Sequence, residues 1–426
     1  MKLTTQEKDM LNGKYGEDAA IAIDYIIQLG EAFDAKKLVD IVYCHYPAEM
    51  SIYKGNVEDG CDFAATGAKI RISTTSSTLA VDVEKPGITE APQALIDLQQ
   101  KVVDAHRSMG ILETYTCTPQ HLGFIPPFGS YTALVESSAI IYYNSVLGVR
   151  TNRGGLLTRY SAVCGKYPLM GYLLDDNRKG THLFNVNIAD EKMQTSDAWS
   201  ALGFHIGKIA GSEVPVINGI KTFNQEFLLS FGATLATSGS VTLFHLIGVT
   251  PEAPSLQQAF QGAKPKETHV VEWTDLEKVY QEQNTLKQGD PVDFVTLGCP
   301  HYTLPQLQLT AEKLKGKKIA EGVRFWICTN RMTRKQAEYS GFVKTIEQSG
   351  AKVVADTCPV ESHMRQSTCR EFGLEVPNIK AMVCNSGKML RYVGDLIGCK
   401  VALTDFDACI ASAISGKLVQ KLNISK

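Results

Sequence analysis

DFVTLGCPHYTLPQLQLTAEKL, Asp293 to Leu314, sets a short apolar run against a helix-period segment, with a Gly-Cys-Pro turn between them. The alternation continues downstream. VRFWICT (323–329) and KVVAD (352–356) read as strands, and RKQAEYSGFVKTIEQSG (334–350) as the helix between them. AMVCN (381–385), KMLRYVGDLIG (388–398) and KVALT (400–404) repeat strand, helix, strand. Strands alternating with helical segments build an α/β unit on a mainly parallel sheet. Ligands of such sheets sit beyond the carboxyl ends of the strands, so chemistry is sought there.

Upstream of this unit, Pro251, Pro254 and Pro265 punctuate the segment 251–292, which reads as a linker with one polar helix near 273–284. The chain thus divides into an N-terminal α/β region over 1–250, this linker, and a C-terminal α/β domain over 293–426. Within the first region, Thr4 and Glu7 fit a capping box. KLVDIVYCHY (37–46) reads as a strand, KIRISTTSSTLAVDV (69–83) as strand, loop, strand, and Tyr131 to Leu147 as one helix containing Glu136. Overall the pattern is multi-domain α/β, with mainly parallel sheets flanked by helices.

Composition narrows the function classes. The 426 residues are 44% hydrophobic, with 43 Lys+Arg against 45 Asp+Glu. That excludes wholesale disorder and offers no polycationic face for nucleic acid. The charge-free stretch from Phe227 to Thr250 is rich in Gly, Ser and Thr, so it reads as buried core rather than a membrane span. Eleven scattered cysteines and an N-terminus without an apolar leader point to the cytoplasm. No CxxC occurs, which disfavours zinc ribbons and ferredoxin-type sites. No GxGxxG follows a strand, which disfavours a nucleotide-dependent oxidoreductase.

Three cysteines stand apart by context. Cys299 follows the strand DFVTL, Cys358 follows KVVAD, and Cys117 lies in an irregular loop, TYTCTPQH. Each has a proline one or two residues on, which stiffens the turn that aims the thiol. Thiolates on rigid turns from separate segments suit metal or iron–sulfur ligation. Three thiolates rather than four would leave one iron open as a Lewis acid for a departing hydroxyl. The other eight cysteines mostly lie in apolar runs and read as core. Asn385, Ser386 and Lys388 open a helix after an apolar strand, a place that suits an anion. Arg150, Thr151, Asn152 and Arg153 offer a second anion grip. His301, His121 and Glu136 are candidate acid–base groups.

Taken together, these segments resemble the large subunit, or catalytic domain, of the aconitase X family. The resemblance runs nearly the length of the chain. It is carried by Cys117-Thr118-Pro119, by E-S-S-A-x-x-Y-x-N-S-V-L-G from Glu136 to Gly148, and by Thr151-Asn152-Arg153. It continues through SGSVTLFHLIGVTPEAP (238–254), GCPH (298–301), DTCPV (356–360) and NSGK (385–388). It implies an aconitase-like dehydratase fold around a central cluster site. The iron–sulfur cluster, [4Fe-4S] or [2Fe-2S], would be held by Cys117, Cys299 and Cys358. The candidate catalytic residues are His301, two residues after Cys299, together with Ser386 and Lys388. Substrate contacts would come from Ser51, Thr74, Thr75, Ser77, Thr151, Asn152, Arg153, Asn385, Ser386 and Lys388. Three loops depart from the family pattern. Gly-Val-Ser becomes Glu49-Met50-Ser51, Thr-Thr-Leu-Asn-Pro becomes Thr74 to Thr78, and Arg153 is followed by Gly154-Gly155 without an acidic residue.

The expected activity is dehydration of a small hydroxylated carboxylic acid, with cis-3-hydroxy-L-proline preferred and 5-phosphomevalonate as the alternative. A reading of another class is a non-catalytic paralogue that binds a small anion. The family also implies a small swivelling domain, for which no segment is expected to remain, because the α/β domain runs to about Lys426. A separate partner subunit of about 130–150 residues, within ordinary domain size, is therefore expected.

Overall fold

A computed structural model describes residues 1–48 and 54–420. The strands, in chain order, are β1 (Leu38–Asp40), β2 (Tyr43–Tyr46), β3 (Ser73–Ser76), β4 (Thr132–Leu134), β5 (Lys166–Pro168), β6 (His182–Asn187) and β7 (Pro215–Asn218). They continue as β8 (His245–Leu246), β9 (Glu267–Glu272), β10 (Phe294–Leu297), β11 (Arg324–Thr329), β12 (Lys352–Ala355), β13 (Ala381–Cys384) and β14 (Lys400–Leu403). β10 to β14 form one fully parallel sheet in the order β12-β11-β10-β13-β14. β6 to β9 form a second parallel sheet in the order β8-β7-β6-β9. β3-β2-β4 form a third, also parallel, while β1 pairs with β5 antiparallel. The α/β architecture with parallel sheets flanked by helices is as expected.

Alternation along the strands explains how the large sheet is buried on both faces. Successive side chains point to opposite sides. Val295, Leu297, Phe325, Ile327, Val353 and Val383 enter one core. Their neighbours Phe294, Trp326, Cys328, Val354, Met382 and Cys384 enter another. The second core is shared with Trp199, Phe231 and Phe244, so this face joins the sheet to the middle of the chain.

Several local expectations change. The segment 251–292 holds β9, which pairs with β6 over six residues, and the helix Trp273–Gln283. Pro251, Pro254 and Pro265 all precede THVVE, which has the β-branched composition of a strand. Residues 131–147 are not one helix. Thr132–Leu134 pairs with β2 as β4, and Glu136 becomes the N-cap of the helix Ser137–Ser145. Residues 334–350 lie in two helices, because Gly341 takes a left-handed φ of 76° between Arg331–Tyr339 and Phe342–Gln348. Within 69–83 only β3 is a strand. The first half of the Phe227–Thr250 stretch lies in the buried helix Gln225–Ser238, capped by Asn224, and the second half holds β8. Among the described residues no helix is long and apolar enough to cross a membrane.

Two buried histidines give the fold an acid-sensitive edge. His106 lies edge-on to Tyr46, with ring centroids 5.1 Å apart, and burial pushes its pKa down to about 3. His45 donates to or accepts from Thr75 Oγ1 at 2.8 Å, and burial pushes it down to about 4. Both folded values lie below the unfolded value of about 6.5, so their stabilising share is complete above that pH. It is lost as pH falls towards the folded values. At pH 5 the loss from His106 alone is about 2 kcal/mol. The melting temperature should therefore fall between pH 7 and pH 5, and less steeply in His106→Phe. An identical slope in the variant would remove His106 as a cause.

Candidate active site

Each of the three singled-out cysteines follows a residue with left-handed backbone. Tyr115 (φ 37°) precedes Cys117 by two positions, Gly298 (φ 87°) precedes Cys299 by one, and Asp356 (φ 67°) precedes Cys358 by two. Non-glycine residues rarely adopt this conformation, and where they do the surroundings hold them in it. The chain is thus turned sharply just before each thiol. The Cys299–Pro300 peptide bond is cis. Cys117 and Cys358 are buried, and Cys299 is partly exposed.

The three thiols lie near enough to feel one another's charge. Burial pushes Cys117 up to about 12, with Cys299 adding to the effect. Burial likewise raises Cys299, against the opposing pull of Lys388 and a Ser386 hydrogen bond. Cys358 is pushed well up, by burial first and then by Glu361, Cys299 and other thiols. Cys328 on β11 and Cys384 on β13 face the same region and couple to Cys299. Both were read as core, and both are fully buried. Among the described residues, no three His, Cys, Asp or Glu side chains approach closely enough to hold a single metal ion. A cluster is wider than an ion, and its thiolates stand further apart. The donor set here is all soft sulfur. The His301 N–H donates to Cys117 Sγ at 3.3 Å, and Lys388 lies beside Cys299 and Cys117. Such donors and charges favour thiolates and anionic clusters, so these residues fit an iron–sulfur group.

Lys388 begins the turn after β13, in the helix Gly387–Tyr392 that Ser386 caps through the Met389 N–H. Its ammonium donates to Glu136 Oε1 at 3.3 Å and Ser137 Oγ at 3.2 Å. Burial opposes its charge, yet Glu136, followed by Tyr392 and the thiols, holds its pKa well above the ordinary value. The Asn385 amide donates to Tyr302 Oη at 2.9 Å. His301 is buried, and its pKa is pushed down to about 4. Its ring spans Thr116 Oγ1 at 3.2 Å and the Thr357 carbonyl at 3.3 Å, so it braces two cysteine loops.

The second anion grip divides. Asn144 Oδ1 accepts from the Thr151 N–H at 3.1 Å and from Arg178 Nη1 at 2.8 Å. Asn152 donates to the Met170 carbonyl and accepts from the Tyr172 N–H. Thr151 and Asn152 therefore build the loop. Arg153 is exposed; its guanidinium donates to the Ala236 carbonyl at 2.8 Å and to Thr242 Oγ1 at 3.3 Å. No carboxylate lies within ion-pair distance of it among the described residues, while Arg150 pairs with Asp175. Thr74, Thr75 and Ser77 are buried with intramolecular partners: the Ile72 carbonyl, His45 and the Ala48 N–H respectively. Ser51 lies outside the described residues.

A cavity opens beside Cys299. Its neck, about 30 Å³, is lined by Cys299, His121, Glu226 and Asn385. It shares Ser196, Glu226, Tyr302, Gln306 and Asn385 with a larger cavity of about 410 Å³. Among the described residues His121 Nδ1 has no hydrogen-bond partner, and burial pushes this histidine down to about 4, leaving it neutral at pH 7. Burial pushes the Glu226 carboxyl up.

The chain matches family models described as aconitase X first domain over residues 1–176, second domain over 180–281 and third domain over 292–415. The chain belongs to the aconitase X family. It is a hydro-lyase of that type. The phosphomevalonate dehydratase large subunit of Methanosarcina mazei is 33% identical over 98% of both chains. The cis-3-hydroxy-L-proline dehydratase of Pseudomonas aeruginosa is 31% identical over 98% of this chain and 70% of its own. A crystal structure of Thermococcus kodakaraensis aconitase X, described as the holo-form, superposes with a TM-score of 0.83 at 30% identity, covering 97% of this chain and 100% of that one.

In aconitase X terms, Cys117, Glu136 and Arg153 come from the first domain, and Cys299, Cys358 and Lys388 from the third. The cavity beside Cys299 adds Ser196 and Glu226 from the second. Sequence reasoning missed Glu226, Ser196 and Tyr302. Glu226 stands second in a helix, where an acidic residue is ordinary, so only its place with Cys299 in the lining of one cavity marks it.

Proposed function

We propose that this chain is the large subunit of a dehydratase acting on phosphomevalonate. The site would carry an iron–sulfur cluster on Cys117, Cys299 and Cys358, and a smaller second subunit would complete it. The observation that carries the reading is end-to-end similarity. Phosphomevalonate dehydratase large subunits from Methanosarcina mazei and Thermococcus kodakarensis are 33% and 31% identical over 98% and 97% of this chain. This shifts the preferred substrate from the hydroxyproline favoured on sequence alone. Both substrates are carboxylates with a hydroxyl on the β carbon, and phosphomevalonate adds a second anionic group.

When bound, the cluster would supply Lewis-acidic iron to the departing hydroxyl. The remaining roles fall to the protein. Lys388 and Ser137 would hold the carboxylate beside the thiols, with Glu136 keeping the ammonium charged. Arg153, free of any carboxylate among the described residues, would take the phosphate. His121 and Glu226, facing Cys299, are placed to hold or pass a proton at Nδ1 and at the carboxyl. Arg153→Gln should raise KM for phosphomevalonate about tenfold or more with a smaller change in kcat, since the contact is made before and during reaction. An unchanged KM would remove Arg153 from phosphate binding.

The test is turnover. The chain, reconstituted anaerobically with a phosphomevalonate dehydratase small subunit, is incubated with phosphomevalonate, and the alkene is followed by ultraviolet absorbance and phosphorus NMR. Alkene formation from phosphomevalonate supports the proposal. Turnover of cis-3-hydroxy-L-proline alone would return the first reading, and binding of either anion without turnover would favour the non-catalytic one.

A further inference from the structure

Two of the three thiol-bearing loops are held by one guanidinium. Arg331, at the start of the helix Arg331–Tyr339, donates its backbone N–H to Asp356 Oδ1 at 2.8 Å and its Nε to Asp356 Oδ2 at 2.7 Å. Its Nη1 donates to Glu113 Oε2 at 3.1 Å, and the guanidinium lies over the Tyr115 ring, 4.6 Å from the centroid. Asp356 stands two residues before Cys358, and Tyr115 two residues before Cys117. These are the two residues that turn the chain left-handed ahead of those thiols. Such backbone persists only where the surroundings over-determine it. Here the same side chain over-determines both turns.

The rest of the junction agrees. The Leu79 N–H donates to the Asp356 carbonyl at 2.8 Å, fastening the Cys358 loop to the first domain. His301 spans the same two loops one residue later, from Thr116 to Thr357. Arg331 and His301 thus clamp the loop pair at successive levels. A planar guanidinium suits the outer clamp, because its fork engages a carboxylate while its face covers an aromatic ring. A lysine ammonium has neither the fork nor the flat face to do both.

We infer that Arg331 is a positioning residue that sets the Cys117 loop against the Cys358 loop, and so fixes the spacing of two thiols drawn from different domains. This rests on the proposed cysteine site. The inference assigns Arg331 no contact with substrate.

Two readouts on full-length protein test it. The first uses the cluster-free chain: the rate at which iodoacetamide labels each cysteine, read by peptide mass spectrometry. Buried thiols react through local opening, so a loosened loop shows as faster labelling. In Arg331→Gln, labelling should rise about tenfold at both Cys117 and Cys358 and stay within about twofold at Cys384, on the unaffected strand β13. In Glu113→Gln, which removes one partner on the more exposed side, only Cys117 should accelerate, about threefold. Lys166→Gln, which removes a buried cation paired with Asp40 far along the chain, should leave both loops at the parent rate. The second readout is the electron paramagnetic resonance spectrum of the reduced, reconstituted protein, which should broaden or shift in Arg331→Gln and not in Lys166→Gln.

Folded Arg331→Gln with parental labelling at Cys117 and Cys358 would overturn the inference. So would equal acceleration in Lys166→Gln. If Arg331→Gln does not fold, Glu113→Gln decides, and an unchanged Cys117 rate there overturns it. If the parent takes up no iron, the cluster reading fails, while the labelling still decides what Arg331 does.

Discussion

Lys388→Met is expected to lose about 10³-fold or more in kcat/KM and also to destabilise the fold by about 3–5 kcal/mol, because it strands the buried Glu136 carboxylate without its partner. The two effects are separable. In Lys388→Met/Glu136→Gln no buried charge is left unpaired, so most of the stability should return while activity stays lost. Both side chains are nearly excluded from solvent, which makes the stranded charge costly. Recovery of turnover in the double variant would mean that Lys388 serves the fold and not the substrate. Thermal melts and steady-state rates on the same preparations distinguish these outcomes.

The second large effect lies at Gly298. Its φ of 87° is one that L side chains rarely take, and an added Cβ would overlap the Cys328 carbonyl on the neighbouring strand. Backbone cannot move aside as a side-chain tip can. Gly298→Ala must therefore shift the turn that presents Cys299, and iron content after reconstitution should fall to about a tenth of the parent's or less. Gly322→Ala is the matched comparison. Gly322 has a similar φ of 80°, but nothing lies within 4 Å of the added Cβ. It should cost about 1–2 kcal/mol and leave iron content unchanged. Equal loss in both variants would mean that general destabilisation, not displacement of Cys299, is at work.

The legible parts of the sequence were those where one physical rule acts alone. The strands after residue 292 are continuous apolar runs because helices cover both faces of a parallel sheet, and they read clearly. The turns that carry Cys117, Cys299 and Cys358 could be picked out because a proline follows each at a loop or strand end. Where two rules compete, the sequence misled. Thr132–Leu134 has helix-compatible neighbours, but pairing with β2 makes it a strand, and this moves Glu136 from mid-helix to an N-cap within reach of Lys388. The THVVE strand lay among turn signals and was absorbed into a linker. Partners distant in sequence were beyond reach altogether. Arg331 meets Glu113 and Tyr115 across more than two hundred residues, and Asn152 spends its amide on Met170 and Tyr172. Nothing local in either segment announces such contacts.

The central claim is that three particular thiols, out of five that crowd the same region, hold the cofactor. Iron and acid-labile sulfide are therefore measured after anaerobic reconstitution of the parent and of five single variants. Cys117→Ser, Cys299→Ser and Cys358→Ser should each lose most of both, while Cys328→Ser and Cys384→Ser should keep the parent's content and spectrum. Full iron and sulfide in any of the first three, or their loss in Cys328→Ser or Cys384→Ser with the fold intact, would contradict the assignment.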